Sequence, residues 1–299
     1  MKLHSISLKD KALVRRYLRL TRHELSTYAF ANIFIWKKLF EIRWTVIRKT
    51  LCVFFKDTTG CFAYLAPLPG ADEELLREAF AFMDSCNTNK DISRIENVEQ
   101  SQVPLYEKLG YRVREKPGDY LCDRNTLVQL RGDALRHKRS ACNYFVKHYA
   151  YTYAPFSLRD RSGCLRLYAQ WMQARKATCK DSLYRGMLDD SCLSLRASLD
   201  AYKHLDLVGR VVKIDSALKA FTFGYALNDD TFCILYEITD LSVKGAAQFI
   251  FREFCRELKN YRYINIMDDS GLENLKIVKE SYRPLRLVPN YIVTRNNAQ

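Results

Sequence analysis

Glu237 stands near the end of a short apolar run, Phe232–Ile238, that reads as a strand. A carboxylate there can take a proton from an attacking amine, provided burial raises its pKa. The other reading is a strand-end charge paired with an arginine. A few residues on, Ser242-Val243-Lys244-Gly245-Ala246-Ala247 opens a helical stretch with a lysine, a glycine and small side chains. A helix start with free backbone N–H groups and no acidic side chain suits a phosphate. That makes Lys244, Gly245 and Ala247 candidates for seating a phosphate-bearing donor, against a helix start that contains glycine for backbone reasons alone. Asp268 and Asp269 follow another short run. They can orient an ammonium group, or they can build the turn and cap of the next helix, for which Asp-Asp-Ser-Gly is well suited. Arg136, Lys138 and Arg139 form a dense positive cluster with His137 inside it. Such a cluster grips a tRNA backbone or a single phosphate, or else is a solvated helix face.

The elements that must position these groups read as mixed α/β. In the first part of the chain, 42–49, 51–56 and 61–65 have strand composition. Asp72 to Asp84 is an amphipathic helix with Leu75, Leu76, Ala79, Phe80 and Met83 on one face. A strand at 94–99 and a short helix at 103–109, closed by Gly110, follow, and 111–114 and 120–121 lead out as short extended pieces. Further on, helices are expected at 133–147, 158–175 and 183–203, strands at 207–214, 220–226 and 232–238, a helix at 246–258, a strand at 263–267, a helix at 275–281 and a strand at 286–294. The order repeats. Tyr111, Tyr120 and Arg124 align without a gap with Tyr282, Tyr291 and Arg295, 171 residues later. So long a period indicates a duplicated domain rather than a solenoid, with expected boundaries 1–130 and 131–299. The equivalent helix in the first copy opens with Asp72, Glu73 and Glu74, which repel an anion, so of the two helix starts the second suits a phosphate.

Composition sets outer bounds. The 299 residues carry a net charge of +14, which draws anions such as nucleic acid, phosphates or an anionic membrane surface, or simply aids solubility. The start of the chain is polar and mixed in charge, and the most apolar window, 28–47, contains Lys37, Lys38, Glu41 and Arg43, so no transmembrane segment and a cytoplasmic location are expected. Ten cysteines are scattered singly with no CxxC pair and no histidine at metal spacing, the pattern of reduced buried thiols, with no metal expected.

Ordered motifs over nearly the whole chain carry a family resemblance. Val103-Pro104-Leu105-Tyr106-Glu107-Lys108-Leu109-Gly110-Tyr111 resembles the "YEKLGF" segment of GNAT-type acyltransferases. Leu130, Gly132, Lys138, Arg139, Asn143 and Phe145 match an "LxGxxxxxKRNxxNxF" pattern, and Ala220 to Gly224 an "AFTxG" strand. Ile264-Asn265 with Asp268 to Gly271 is similar to "INREDDLG", and Leu275 to Tyr282, with Lys279, to "LRKAKLSY". Together these resemble a bacterial family related to the C-terminal domain of phosphatidylglycerol lysyltransferase, whose members are tandem GNAT-like proteins. The resemblance implies two such domains and an acyltransferase acting at the second. Its implied donor is an aminoacyl-tRNA or, as in ordinary GNAT enzymes, an acyl-CoA. Glu237 and Asp268 are then the catalytic candidates, and Lys138, Arg139, Asn143 and Lys279 join Lys244, Gly245 and Ala247 at the donor. Asn143 can equally bridge backbone groups, and Lys279 can face water. Departures occur where Ser140, Ile238, Ile266 and Met267 replace polar residues of the pattern, which leaves a non-catalytic binding protein as the alternative. The CoA reading needs a tyrosine to protonate the leaving sulfur. Tyr106 fills that slot in the first copy and Ile277 in the second, so neither copy holds both the phosphate seat and the acid.

Overall fold

The computed structural model describes residues 2–296. The chain divides into two compact units, 1–119 with 288–299, and 120–287. The sequence-based boundary at 130/131 falls inside the second of these, and the last strand of the chain belongs to the first.

The first unit contains β1 (His4–Ser5), α1 (Lys11–Leu18), α2 (Phe30–Ile35), β2 (Glu41–Ile47), β3 (Thr50–Lys56), β4 (Cys61–Ala63), α3 (Glu73–Cys86), β5 (Arg94–Glu99), α4 (Val103–Lys108) and the first eight residues of β6 (Arg112–Asp123). Its sheet order is β1-β2-β3-β4-β5-β12-β6, where β12 is Arg286–Thr294. The face of α3 expected from its apolar spacing packs on this sheet: Leu75, Leu76, Ala79, Phe80 and Met83 are buried against Phe54, Ile95, Val98 and Val293. Asp72 caps α3, accepting from the Leu75 N–H at 2.7 Å, and Glu73 and Glu74 complement the helix dipole. The segments 111–114 and 120–121 are parts of one twelve-residue strand, β6, rather than two pieces. The chain runs straight through Lys116-Pro117-Gly118 as strand. A side chain at Gly118 would meet the Val288 carbonyl oxygen at 2.3 Å, so glycine permits the close approach of β12.

The second unit continues with the end of β6, α5 (Arg124–Gln129), α6 (Arg136–His148), β7 (Tyr151–Pro155), α7 (Arg161–Thr178), α8 (Ser182–Asp200), β8 (Val208–Ile214), β9 (Ala217–Ala226), β10 (Thr231–Thr239), α9 (Ala246–Glu257), β11 (Tyr263–Asn265) and α10 (Glu273–Glu280). Its sheet order is β6-β11-β10-β9-β8-β7. One face is covered by α9 and α6, with Phe145, Val212, Ala220, Phe249 and Ile250 between them, and the other by α7 and α8 over Phe221, Phe223 and Ile238. The strand–strand–strand–helix–strand–helix–strand order of β2 to β6 recurs from β8 to β12, as the repeat predicts. No helix among the described residues is long and apolar enough to cross a membrane. All ten cysteines are free thiols, and among the described residues no cluster of His, Cys, Asp or Glu is placed to hold a metal.

Candidate functional site

The sheet of the second unit opens along one edge of β10. β10 and β11 run parallel, but they pair only over Thr231–Cys233 against Tyr263–Asn265. After Asn265 the chain stays with β6: the Ile266 N–H donates to the Tyr120 carbonyl and the Tyr120 N–H to Met267. β10 continues to Thr239 with β9 as its remaining neighbour. From Ile234 onward, that edge of β10 has no strand paired with it.

An irregularity in β10 decides which face of the sheet Glu237 takes. The β10–β9 register shifts between Ile234 and Tyr236. Ile234 packs with Phe251 and Phe254 of α9, and Tyr236 and Ile238 pack with α7 and α8. In a regular strand Glu237, three residues after Ile234, would point to the opposite face from it. The extra residue restores the phase. Glu237 thus lies on the α9 side, where Lys138 of α6 and Lys279 of α10 act on it electrostatically. Ile238, by the same alternation, goes into the opposite core.

Glu237 is half-buried, and among the described residues it makes no hydrogen bond and no ion pair. Burial pushes its pKa up to about 8, against the opposing pull of Lys138 and Lys279. Lys138 is itself half-buried. Burial lowers its pKa, Glu237 partly restores it, and its Nζ sits 4.1 Å from the centre of the Tyr282 ring. Tyr282 is buried, and its hydroxyl is held well above its ordinary pKa, first by burial and then by Glu237, so it stays protonated. Lys279 donates to the carbonyls of Ile266 and, at 3.2 Å, of Met267, which fixes the turn after β11 and the position of the ammonium group. The nearby thiols of Cys122 and Cys142 are kept protonated by burial, which raises their pKa to about 12 and about 11, and are not nucleophiles.

The other expected site residues are placed as follows. Asp268 accepts from the Ser270 N–H at 2.6 Å and from its hydroxyl at 3.1 Å, a turn-forming role. Asp269 is buried, accepting from the Tyr120 hydroxyl at 2.6 Å and the Gly271 N–H at 2.9 Å. Arg139 donates to the carbonyls of Leu130 and Gly132, closing the end of α5. Asn143 is exposed. At the start of α9, Gly245 is the N-cap with φ +84°, and a side chain there would meet the Ala141 carbonyl oxygen at 2.2 Å. Backbone conformation and close packing of α6 therefore account for the glycine by themselves. Lys244 is exposed, with its Nζ 4.5 Å from the centre of the Tyr144 ring, and Ala247 is half-buried in the first turn of α9. The structure thus gathers Glu237, Lys138 and Lys279 into one cluster. It gives Asp268 and Arg139 contacts of their own, and it adds Tyr282, which the sequence offered as a repeat marker and as the end of a family motif but not as a site residue.

The sequence matches the family described as phosphatidylglycerol lysyltransferase, C-terminal, over residues 18–294. The chain belongs to this family. Its fold is that of a tandem GNAT protein. It is similar to a conserved protein of unknown function from Bacteroides thetaiotaomicron at 24% identity, with a TM-score of 0.87 and coverage of 99% of this chain and 100% of that one. It is similar to the C-terminal domain of a lysylphosphatidylglycerol synthetase from Agrobacterium fabrum at 12% identity, TM-score 0.65, with 98% and 94% covered. It is also similar to L-PGS from Bacillus licheniformis at 15% identity, TM-score 0.64, with 97% and 93% covered. These similarities establish the fold. No curated protein matches the sequence significantly.

Proposed function

We propose that this family member is an aminoacyltransferase: it moves an aminoacyl group from a tRNA-like ester to an amine or hydroxyl acceptor, with Glu237 as general base. The observation that carries the reading is a single unpaired, half-buried carboxylate whose pKa of about 8 lies within reach of neutral pH, set in the opening beside β10. The acceptor attacks the ester carbonyl, a new C–N or C–O bond forms, and Glu237 takes the acceptor's proton. The ester C–O bond then breaks, and the proton passes to the departing ribose oxygen. In this reading, backbone N–H groups along the edge of β10 that no strand pairs steady the tetrahedral oxyanion. Lys138 and Lys279 supply the positive potential for a phosphate-bearing donor.

An acyl-CoA donor is disfavoured on two counts. Tyr106 is buried in the first unit and Ile277 is exposed in its place in the second, so the tyrosine of that motif position is missing from the unit that holds Glu237. The start of α9, where a pyrophosphate would sit, is flanked by the backbone of α6. The binding-protein alternative is favoured by Ile266, buried in the apolar cluster under α9 where the family pattern carries polar groups.

The test is release and transfer of label from tRNA charged with radiolabelled amino acids, in the presence of amine and hydroxyl acceptors including phosphatidylglycerol. The wild-type chain should transfer label, and Glu237→Gln should transfer it about 100-fold or more slowly. Transfer that survives Glu237→Gln, or no transfer from any charged tRNA, would overturn the proposal.

A further inference from the structure

A groove of about 1080 Å³ opens in the first unit, the copy left without a chemical role above. Its walls carry an excess of positive charge. Arg112 and Arg114 are two residues apart on β6 and so project from the same face of the strand, Arg77 comes from α3, and Lys90 from the segment between α3 and β5. All four are exposed, and among the described residues none of them forms an ion pair. A fifth cation, Arg295, is already bound to Asp84 and lies over the Phe80 ring at 5.4 Å. Against these stand the lining carboxylates Glu73 and Asp91. Elsewhere many exposed cations have partners: Arg48 reaches Glu74 and Glu78, and Arg161 reaches Asp200.

Four unpaired cations converging on a concave wall repel one another and focus a positive potential. Guanidinium groups in such an array match phosphate oxygens in geometry and charge. Tyr111, which also lines the groove, is half-buried with one ring face stacked on Phe80 at 5.2 Å, so the groove offers a base little aromatic surface beside its many cations. The apolar lining, Leu109 and Ile292, is at least partly buried, so nothing projects that could enter an acyl layer, and a flat bilayer would touch only the rim. We propose that this groove binds the phosphodiester backbone of a nucleic acid without reading its sequence. The inference stands apart from the transfer reading, since it uses none of the residues around Glu237.

Fluorescence anisotropy with the full chain tests it, using labelled single-stranded RNA, the DNA of the same sequence, and uncharged tRNA, each over a range of salt. Wild type should bind at low salt, and the Arg112→Glu/Arg114→Glu variant should bind about 10-fold or more weakly. Its slope of log affinity against log salt should be smaller by about two. Arg77→Gln/Lys90→Gln should shift in the same direction, and it reads the groove if the first variant fails to match the wild-type melting temperature. Lys203→Glu/Lys259→Glu makes the same charge change outside the groove and should bind within about 3-fold of wild type, as a sequence-independent electrostatic contact is local. RNA and DNA binding alike points to the shared backbone, and RNA preferred over DNA points to added contacts with the 2′-hydroxyl. The proposal is overturned if the control weakens binding as much as the groove variants, if no nucleic acid binds, or if only anionic phosphatidylglycerol vesicles bind. Glu237→Gln should bind RNA as wild type does. Loss of transfer without loss of RNA binding therefore bears on the first reading alone.

Discussion

A half-buried carboxylate with no hydrogen-bond partner lowers stability once it is ionised. Glu237 has a folded-state pKa of about 8 against an ordinary 4.5. Below 4.5 it is neutral in both the folded and the unfolded chain and costs nothing. Between pH 4.5 and about 8 the unfolded chain ionises while the folded one resists, so wild-type stability falls as pH rises, and the deficit is complete above 8. Glu237→Gln removes this dependence. Its melting temperature relative to wild type should therefore climb from pH 4.5 to about 8 and then level off, as calorimetry across that range would show. A flat difference would mean that Glu237 is solvated like a surface acid. At this scale the sequence was informative about residue types and weak on geometry. Glu237, Lys138 and Lys279 were visible, two of them through family motifs. Their convergence was not, because it depends on one register shift in β10 that no local pattern announces.

At the scale of elements, most strands and helices were legible wherever one face is apolar and the other polar. α3 and α9 are examples, their buried residues spaced three and four apart. The failures have physical causes. α2 is buried on every side, so its sequence, Phe30-Ala31-Asn32-Ile33-Phe34-Ile35, has no periodicity to read. β6 is one strand through Lys116-Pro117-Gly118, between the two expected pieces, because the close approach of β12 needs a glycine there, a contact no local pattern announces. The glycine at the start of α9 is the opposite case: a residue read as a phosphate seat that packing also requires. Gly245→Ala combines a φ of +84° with a clash against the Ala141 carbonyl. It should destabilise the chain by more than about 1 kcal/mol in urea unfolding. A neutral substitution would mean that α6 moves aside easily, leaving the start of α9 open to a ligand.

For the whole molecule, the duplication was legible because its 171-residue period needs no gap, yet the assignment of strands to units was not. Sequence order places β12 with the second copy, whereas contacts place Val288 onward with the first. There Asn290, Tyr291, Val293 and Thr294 pair with β5, and Val293 is fully buried in the first unit's core. Pairing between strands distant in sequence leaves no local signal. A chain ending at Leu287 should consequently lose amide-exchange protection in β5 while β9 and β10 remain protected. Loss confined to the second unit would contradict this strand assignment.

On the function proposed above, Glu237, at the edge of β10 that no strand pairs, is a carboxylate poised between its two protonation states near neutral pH. Carbon-13 NMR of the labelled Glu237 side chain, assigned by comparison with Glu237→Gln, measures this directly. The carboxyl titration midpoint should lie near 8 and move upward when Lys138→Met removes a positive neighbour. A midpoint at the ordinary 4.5, unmoved by that substitution, would contradict it.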